Sequence, residues 1–249
     1  MEELGFWLLA VTAAALVGLS KGGLPAIGIL AVPVMALQIS PVLAAGILLP
    51  VYVVSDMFGL WAYRHAFDRK VLLYLLPGAI VGVAVGGLTA SLVPEAAVTA
   101  LIGAIGLVFS LNLLLRRPAD GPPRDPKPGP GLFWGLITGF TSFVSHSGAP
   151  PWQVYTLPLR LEKAVFAGTS TIGFAVINAV KLIPYGMLGQ LNPANLRISA
   201  LLMAPAVGSV FVGVWLVRIL PAKAFFRIVT WSLLLISLKL LWDGARGIF

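Results

Sequence analysis

Cysteine is absent from all 249 residues, so the chain forms no disulfide, offers no thiolate to a metal and has no cysteine nucleophile. Charge is scarce as well. Only 10% of residues are charged, whereas soluble domains carry about a quarter. Histidine occurs twice, at His65 and His146, and no set of metal ligands is clustered, so an enzyme active site or metal centre has little to build on. No ATP-binding motif is present, so solute movement would be driven by gradients. No cofactor is expected.

What the chain has in quantity is apolar sequence: 59% of it is hydrophobic. Several stretches approach the ~20 residues that cross a bilayer as a helix. The fold class is therefore an all-α integral membrane protein with the lipid bilayer as its solvent. The net charge of +8 would point to nucleic acid in a soluble protein. Here the basic residues sit in loops, so they set membrane orientation and no nucleic-acid partner is expected. The acidic start Met1-Glu2-Glu3 argues against a cleavable signal peptide.

The apolar segments are residues 4–19, 24–37, 41–63, 71–91, 95–115, 131–145, 151–159, 163–184, 195–217 and 222–242. Residues 116–130, RRPADGPPRDPKPGP, read as an aqueous linker between a first repeat, 1–115, and a second, 131–249. The halves echo one another. Phe6-Trp7 matches Phe133-Trp134, and the break SKGGLP at 20–25 matches SHSGAPP at 145–151. Ala45-Gly46 matches Ala167-Gly168, and ten residues later Asp56 matches Asn178. Pro77 and Pro94 match Pro205 and Pro221.

Each half thus opens with two apolar pieces around a break, either one crossing or a re-entrant hairpin. Of the 17 Lys and Arg residues, Lys21, Lys181 and Lys239 lie in apolar segments, leaving 14. These divide nine to five across the membrane if both breaks cross, but twelve to two if both are hairpins. The positive-inside rule favours hairpins at 4–37 and 131–159, each followed by three spans: 41–63, 71–91 and 95–115, then 163–184, 195–217 and 222–242. Three crossings per half invert the second repeat, with both termini outside and the linker cytoplasmic. Inverted repeats with broken helices are a plan of secondary transporters.

Pro25 suits a first helical turn, so the N–H groups of residues 22–24 and a helix dipole are expected to face an anion near mid-membrane, beside Lys21. In the second break Ser147, Gly148 and Ala149 precede Pro150-Pro151 in the same way, next to Ser145 and His146. The candidate substrate-binding residues are Ser20, Lys21, Gly22, Gly23, Ser145, His146, Ser147, Gly148, Trp152 and Gln153. A glycine-proline break is also a common packing kink, and His146 by itself equally reads as a hydrogen-bonded core histidine. A mid-bilayer lysine costs several kcal/mol unless compensated, which makes Lys21 the stronger signal.

Asp56 either pairs with Lys21 or carries a proton; Asn178 and Asn112 read as links between helices. Lys181, three residues before Pro184, is expected to snorkel to the outer surface, although it shares a helix face with Asn178. Asp56, Asn178 and Lys181 are kept as coupling or supporting residues. Lys239 is expected to pair with Asp243, and Gly78, Gly82 and Gly86 to pack helices closely.

GLSKGGLPAIG at 18–28, TSFVSHSGAPPWQVYTLPLRLEKAVFAGTS at 141–170 and INAVKLIPYG at 177–186 resemble the TauE/SafE family of sulfite exporters, the 4-toluene sulfonate uptake permease group. The resemblance covers nearly the whole chain. It implies transport, by its name export, of sulfite, an organosulfonate or a similar small sulfur-containing anion across a bacterial or archaeal cytoplasmic membrane. The residues allow protons as coupling ion, with His146 the better carrier because an imidazole titrates near about 6.5. An anion channel of the same architecture is the alternative, and a homo-oligomer is compatible with either.

Overall fold

The computed structural model describes residues 2–89, 92, 94–115 and 123–248. Every regular element among them is helical. In chain order these are α1 (Glu2–Lys21), a 3-10 turn (Pro25–Leu30), α2 (Ala31–Met35), α3 (Pro41–Tyr63), α4 (Arg69–Thr89) and α5 (Glu95–Leu115). Then come α6 (Pro128–Ser145), α7 (Ala149–Thr156), a second 3-10 turn (Leu157–Leu159), α8 (Lys163–Met187), α9 (Pro193–Ile219) and α10 (Ala222–Ile248).

Among the described residues, seven helices are long and apolar enough to cross a membrane. Six of them, α3, α4, α5, α8, α9 and α10, coincide with the expected crossings; the seventh is α1. Local chemistry starts two of them. The Ser40 side chain accepts from the Leu43 N–H at 3.3 Å ahead of Pro41, and Asn192 accepts from the Asn195 N–H at 3.0 Å ahead of Pro193. Both are side-chain N-caps followed by a proline whose missing N–H costs nothing at that position.

The hairpins differ from expectation in one respect. Their first arms are not half-helices: α1 has 20 residues and α6 has 18, about 30 and 27 Å at about 1.5 Å per residue. Each approaches a whole hydrocarbon core. After a three-residue break, each hairpin continues as a short arm. Six plus five residues make up Pro25–Met35, and eight plus three make up Ala149–Leu159, eleven in both. The linker is also shorter than expected, because α6 begins at Pro128. Residues 116–122 of the linker, and residues 90–91 of the expected fourth segment, lie outside the described residues.

The chain divides into two compact units: Met1–Phe67 with Ala167–Leu220, and Asp68–Phe166 with Pro221–Phe249. In the first unit α1 packs on α9 and on its own short arm, and α3 packs on both α1 and α9. In the second, α4 packs on α6, α5 on α10, and α7 on α5 and α6. Each hairpin therefore docks on the second span of the other half of the sequence.

Close backbone approach makes these contacts possible. A Cβ at Gly78 or Gly82 would overlap the Leu132 or Leu136 carbonyl, and one at Gly135 or Gly139 would overlap those of Leu75 and Ala79. The expected glycine stripe on α4 thus meets a matching stripe on α6. Lys239 pairs with Asp243 one turn on, as expected. Asn112 does not link helices: it is exposed on α5.

Candidate functional site

The first break is a helix stop. Lys21 is the last residue of α1, and Gly23 follows at φ 116°, a conformation glycine adopts without steric cost. The Gly22 N–H donates to the Gly18 carbonyl at 2.9 Å, that of Gly23 to Ser20 at 3.3 Å and that of Leu24 to Leu19 at 3.4 Å. Such returning bonds satisfy the terminal carbonyls of a helix that ends in glycine. The expectation that residues 22–24 present free N–H groups to an anion is therefore corrected. Those donors are spent on α1, and a 3-10 turn of six residues follows them, not an α-helix.

The carbonyls of the break are held too. Gly22 accepts from the Tyr63 hydroxyl at 2.6 Å, and Lys21 accepts from the Thr171 hydroxyl at 3.1 Å. A Cβ on Gly22 would overlap Gly213 of α9, so the break is clamped from three sides. The side chain that ends α1 at this break is the Lys21 ammonium.

Lys21 is 4% exposed. Its Nζ lies 2.8 Å from Asp56 Oδ1, and Asp56 Oδ2 accepts from Asn178 Nδ2 at 2.8 Å. The ammonium also stands 5.0 Å from the centre of the Tyr52 ring and 5.7 Å from that of Phe174, within cation–π range. Tyr52 is oriented by its hydroxyl, which donates to the Gly28 carbonyl at 2.7 Å. Asp56 thus receives one cation and one amide, from α1 and α8.

Lys181 does not snorkel. It is 1% exposed, because α8 runs on through Pro184 to Met187 and keeps the side chain inside. Its Nζ stands 5.7 Å from the Tyr185 ring centre, and it interacts electrostatically with both Lys21 and Asp56. Two lysines and one aspartate give this cluster a formal charge of +1.

The second break, in the other unit, is built differently. His146 caps α6 in the left-handed conformation (φ 52°) and is half-buried, and the Ser147 N–H donates to the Thr141 carbonyl at 3.2 Å. The serines expected to donate to an anion donate to main-chain carbonyls: Ser20 to Val17 at 2.7 Å, Ser145 to Thr141 at 3.3 Å and Ser147 to Ser145 at 3.0 Å. Pro150 and Pro151 have no N–H, which leaves Gly148 and Ala149 as the amide donors at the start of α7. Trp152 is fully buried in this unit. Gln153 is 0% exposed, and neither its Oε1 nor its Nε2 has a hydrogen-bond partner.

The structure therefore brings Lys21, Asp56, Asn178 and Lys181 together in one unit, and places Ser145 to Gly148, Trp152 and Gln153 in the other. Sequence reasoning missed Tyr52, Tyr63, Thr171 and Phe174. The signal was helical spacing. Residues 52, 56, 59 and 63 share one face of α3, and residues 171, 174, 178 and 181 share one face of α8. Gly59 belongs to the first stripe because a Cβ there would overlap Thr171 and the Lys21 carbonyl.

Among the described residues, no three His, Cys, Asp or Glu side chains come together to hold a metal ion. Neither a curated protein nor a solved structure matches the chain at a significant level. The family model described as Sulfite exporter TauE/SafE matches residues 10–240, and with nearly the whole chain covered the protein belongs to the TauE/SafE family of membrane transporters.

Proposed function

We propose that the protein is a secondary transporter, working as an exporter, for sulfite, an organosulfonate or a similar small sulfur-containing anion. The observation that carries this reading is the buried Lys21 ammonium held by Asp56, beside a second buried lysine, in a member of this family. The Lys21 ammonium is the group that binds the anion. Without substrate, Asp56 holds it and Asn178 in turn holds Asp56; an arriving oxyanion competes with the Asp56 carboxylate for the ammonium protons.

The excess of one positive charge matches an anion carrying one negative charge, such as hydrogen sulfite or a sulfonate. A dianion such as sulfate would leave the cluster overfilled by one charge. The second break contributes in its own unit, through the Gln153 amide and the Gly148 and Ala149 N–H groups. The duplicated plan supports alternating access, since both hairpins have a long arm, a three-residue break and an eleven-residue arm.

The test is uptake of radiolabelled sulfite into proteoliposomes, with wild type and Lys21→Ala reconstituted at matched levels. Saturable wild-type uptake that falls at least about tenfold in the variant is expected, the loss of a charged hydrogen bond to substrate. Full activity in Lys21→Ala removes the lysine from the anion's path. Flux that stays linear in concentration and shows no counterflow identifies a channel.

A further inference from the structure

The second unit contains a cavity lined by none of the candidate substrate-binding residues. At the linker end of the unit, Arg124, Asp125 and Lys127 line a cavity of about 600 Å³, with Tyr155 and Pro158 of the short hairpin arm on its other side. The linker is fixed there. The Arg124 N–H donates to the Pro158 carbonyl at 3.3 Å, and the Tyr155 hydroxyl donates to the Lys127 carbonyl at 3.0 Å.

Trp134 and Val154 line this cavity and also a second one, of about 440 Å³. The second is an apolar groove along α5, lined by residues such as Ile105, Val108 and Phe109 and by the exposed Asn112. A cationic chamber therefore leads past Trp134 into a hydrocarbon-like groove. Arg124, Asp125 and Lys127 sum to a formal charge of +1. Tryptophan is the side chain favoured where a membrane's polar and apolar zones meet. Asn112 sets one polar group on an otherwise apolar, outward-facing stretch of a membrane-spanning helix, where an amide needs a partner.

We propose that the two cavities together seat one anionic glycerophospholipid. Its phosphodiester lies against Arg124 and Lys127, its glycerol ester region beside Trp134 and Asn112, and one acyl chain along the α5 groove. Charge complementarity selects the headgroup: two cations against one carboxylate favour phosphatidylglycerol over a zwitterionic lipid, whose added cation cancels the gain. A free phosphate would fill the basic chamber but leave the groove without a function. The bound lipid braces the linker against residues 149–159, so it also steadies the arm that follows the second break.

The full chain, purified in detergent, is offered equimolar phosphatidylglycerol and phosphatidylethanolamine and read by native mass spectrometry. Wild type is expected to retain one phosphatidylglycerol in preference. In Arg124→Ala/Lys127→Ala the retained lipid falls roughly twenty-fivefold, from two basic contacts at about fivefold each. The control Arg69→Ala/Lys70→Ala removes the same charge elsewhere and keeps the preference. Val108→Trp, which fills the groove and spares the basic chamber, also loses the lipid. Equal retention of both lipids, or a preference that survives Arg124→Ala/Lys127→Ala, overturns the proposal. So does displacement of the lipid by an equal concentration of glycerol 1-phosphate, because the site then reads phosphate alone.

Discussion

Lys21 Nζ and Asp56 Oδ1 lie 2.8 Å apart where α1 stops, with both side chains almost wholly buried. Asp56 is held from two directions, by Lys21 and by Asn178, so under the proposed function the lysine is the member that exchanges its partner for an anion. Removing one member of a buried pair strands the other, at a cost of about 3–5 kcal/mol. Asp56→Ala is therefore expected to lower the thermal midpoint in detergent sharply. Lys21→Met/Asp56→Leu should recover most of that stability and still fail to transport. Wild-type flux in the double variant would make the pair a structural device only.

The charge of the cluster is a separate matter from its stability. Asn178→Asp adds an acid to the cluster next to Asp56 and brings its formal charge to zero. The expected result is a rise in KM for sulfite of at least about tenfold, equivalent to about 1.4 kcal/mol of lost attraction. Lys181→Met should act in the same direction. An unchanged KM in both, measured from initial rates in proteoliposomes, would show that net charge does not set affinity.

Gln153 offers a test with opposite signs. Its amide is buried without partners, a state that costs about 1–3 kcal/mol. Gln153→Leu, similar in volume, is expected to raise the thermal midpoint while transport falls. That pair of outcomes would assign the amide to the substrate. If Gln153→Leu destabilises the protein and leaves flux intact, the amide is structural.

Close packing of α4 on α6 predicts a graded response. Gly82→Ala should cost about 1–3 kcal/mol, since its Cβ meets the Leu136 carbonyl and backbone has to shift. Gly129→Ala, with open space around it, should leave the thermal midpoint where it is.

Much of this was legible in the sequence, for physical reasons that also explain the misses. The spans stood out because hydrocarbon demands long apolar runs, and Lys21 stood out because it interrupts one. Asp56 and Asn178 were found through their matching places in the two halves. The free amides of residues 22–24 were misjudged because Gly-Gly-Leu-Pro serves equally as the end of one helix and the start of the next. Each N–H bonds once, and here the returning turn takes all three. A lysine in the last turn followed by glycine is itself a stop signal, and it was the better guide.

The sequence puts Lys181 at the surface because a proline such as Pro184 ordinarily ends a helix. In a membrane, neighbouring groups satisfy the carbonyl a proline frees, and the helix continues. Tyr52 and Phe174 carried a visible spacing to Asp56 and Asn178, but aromatic residues are common on apolar helices and nothing singled them out.

The docking of each hairpin on the opposite half of the sequence has a consequence for biosynthesis. The Lys21 carbonyl finds its partner in Thr171, 150 residues later in the chain. At about 5–20 residues per second of synthesis, the ribosome takes roughly 8–30 s to deliver it. Throughout that interval the newly inserted first hairpin has neither α8 nor α9 to close against. Its lysine has Tyr52 and Asp56 of α3 as early companions, Asp56 lying 35 positions downstream. The ion pair proposed to open to substrate is thus also among the first long-range contacts the nascent chain is able to make at this site.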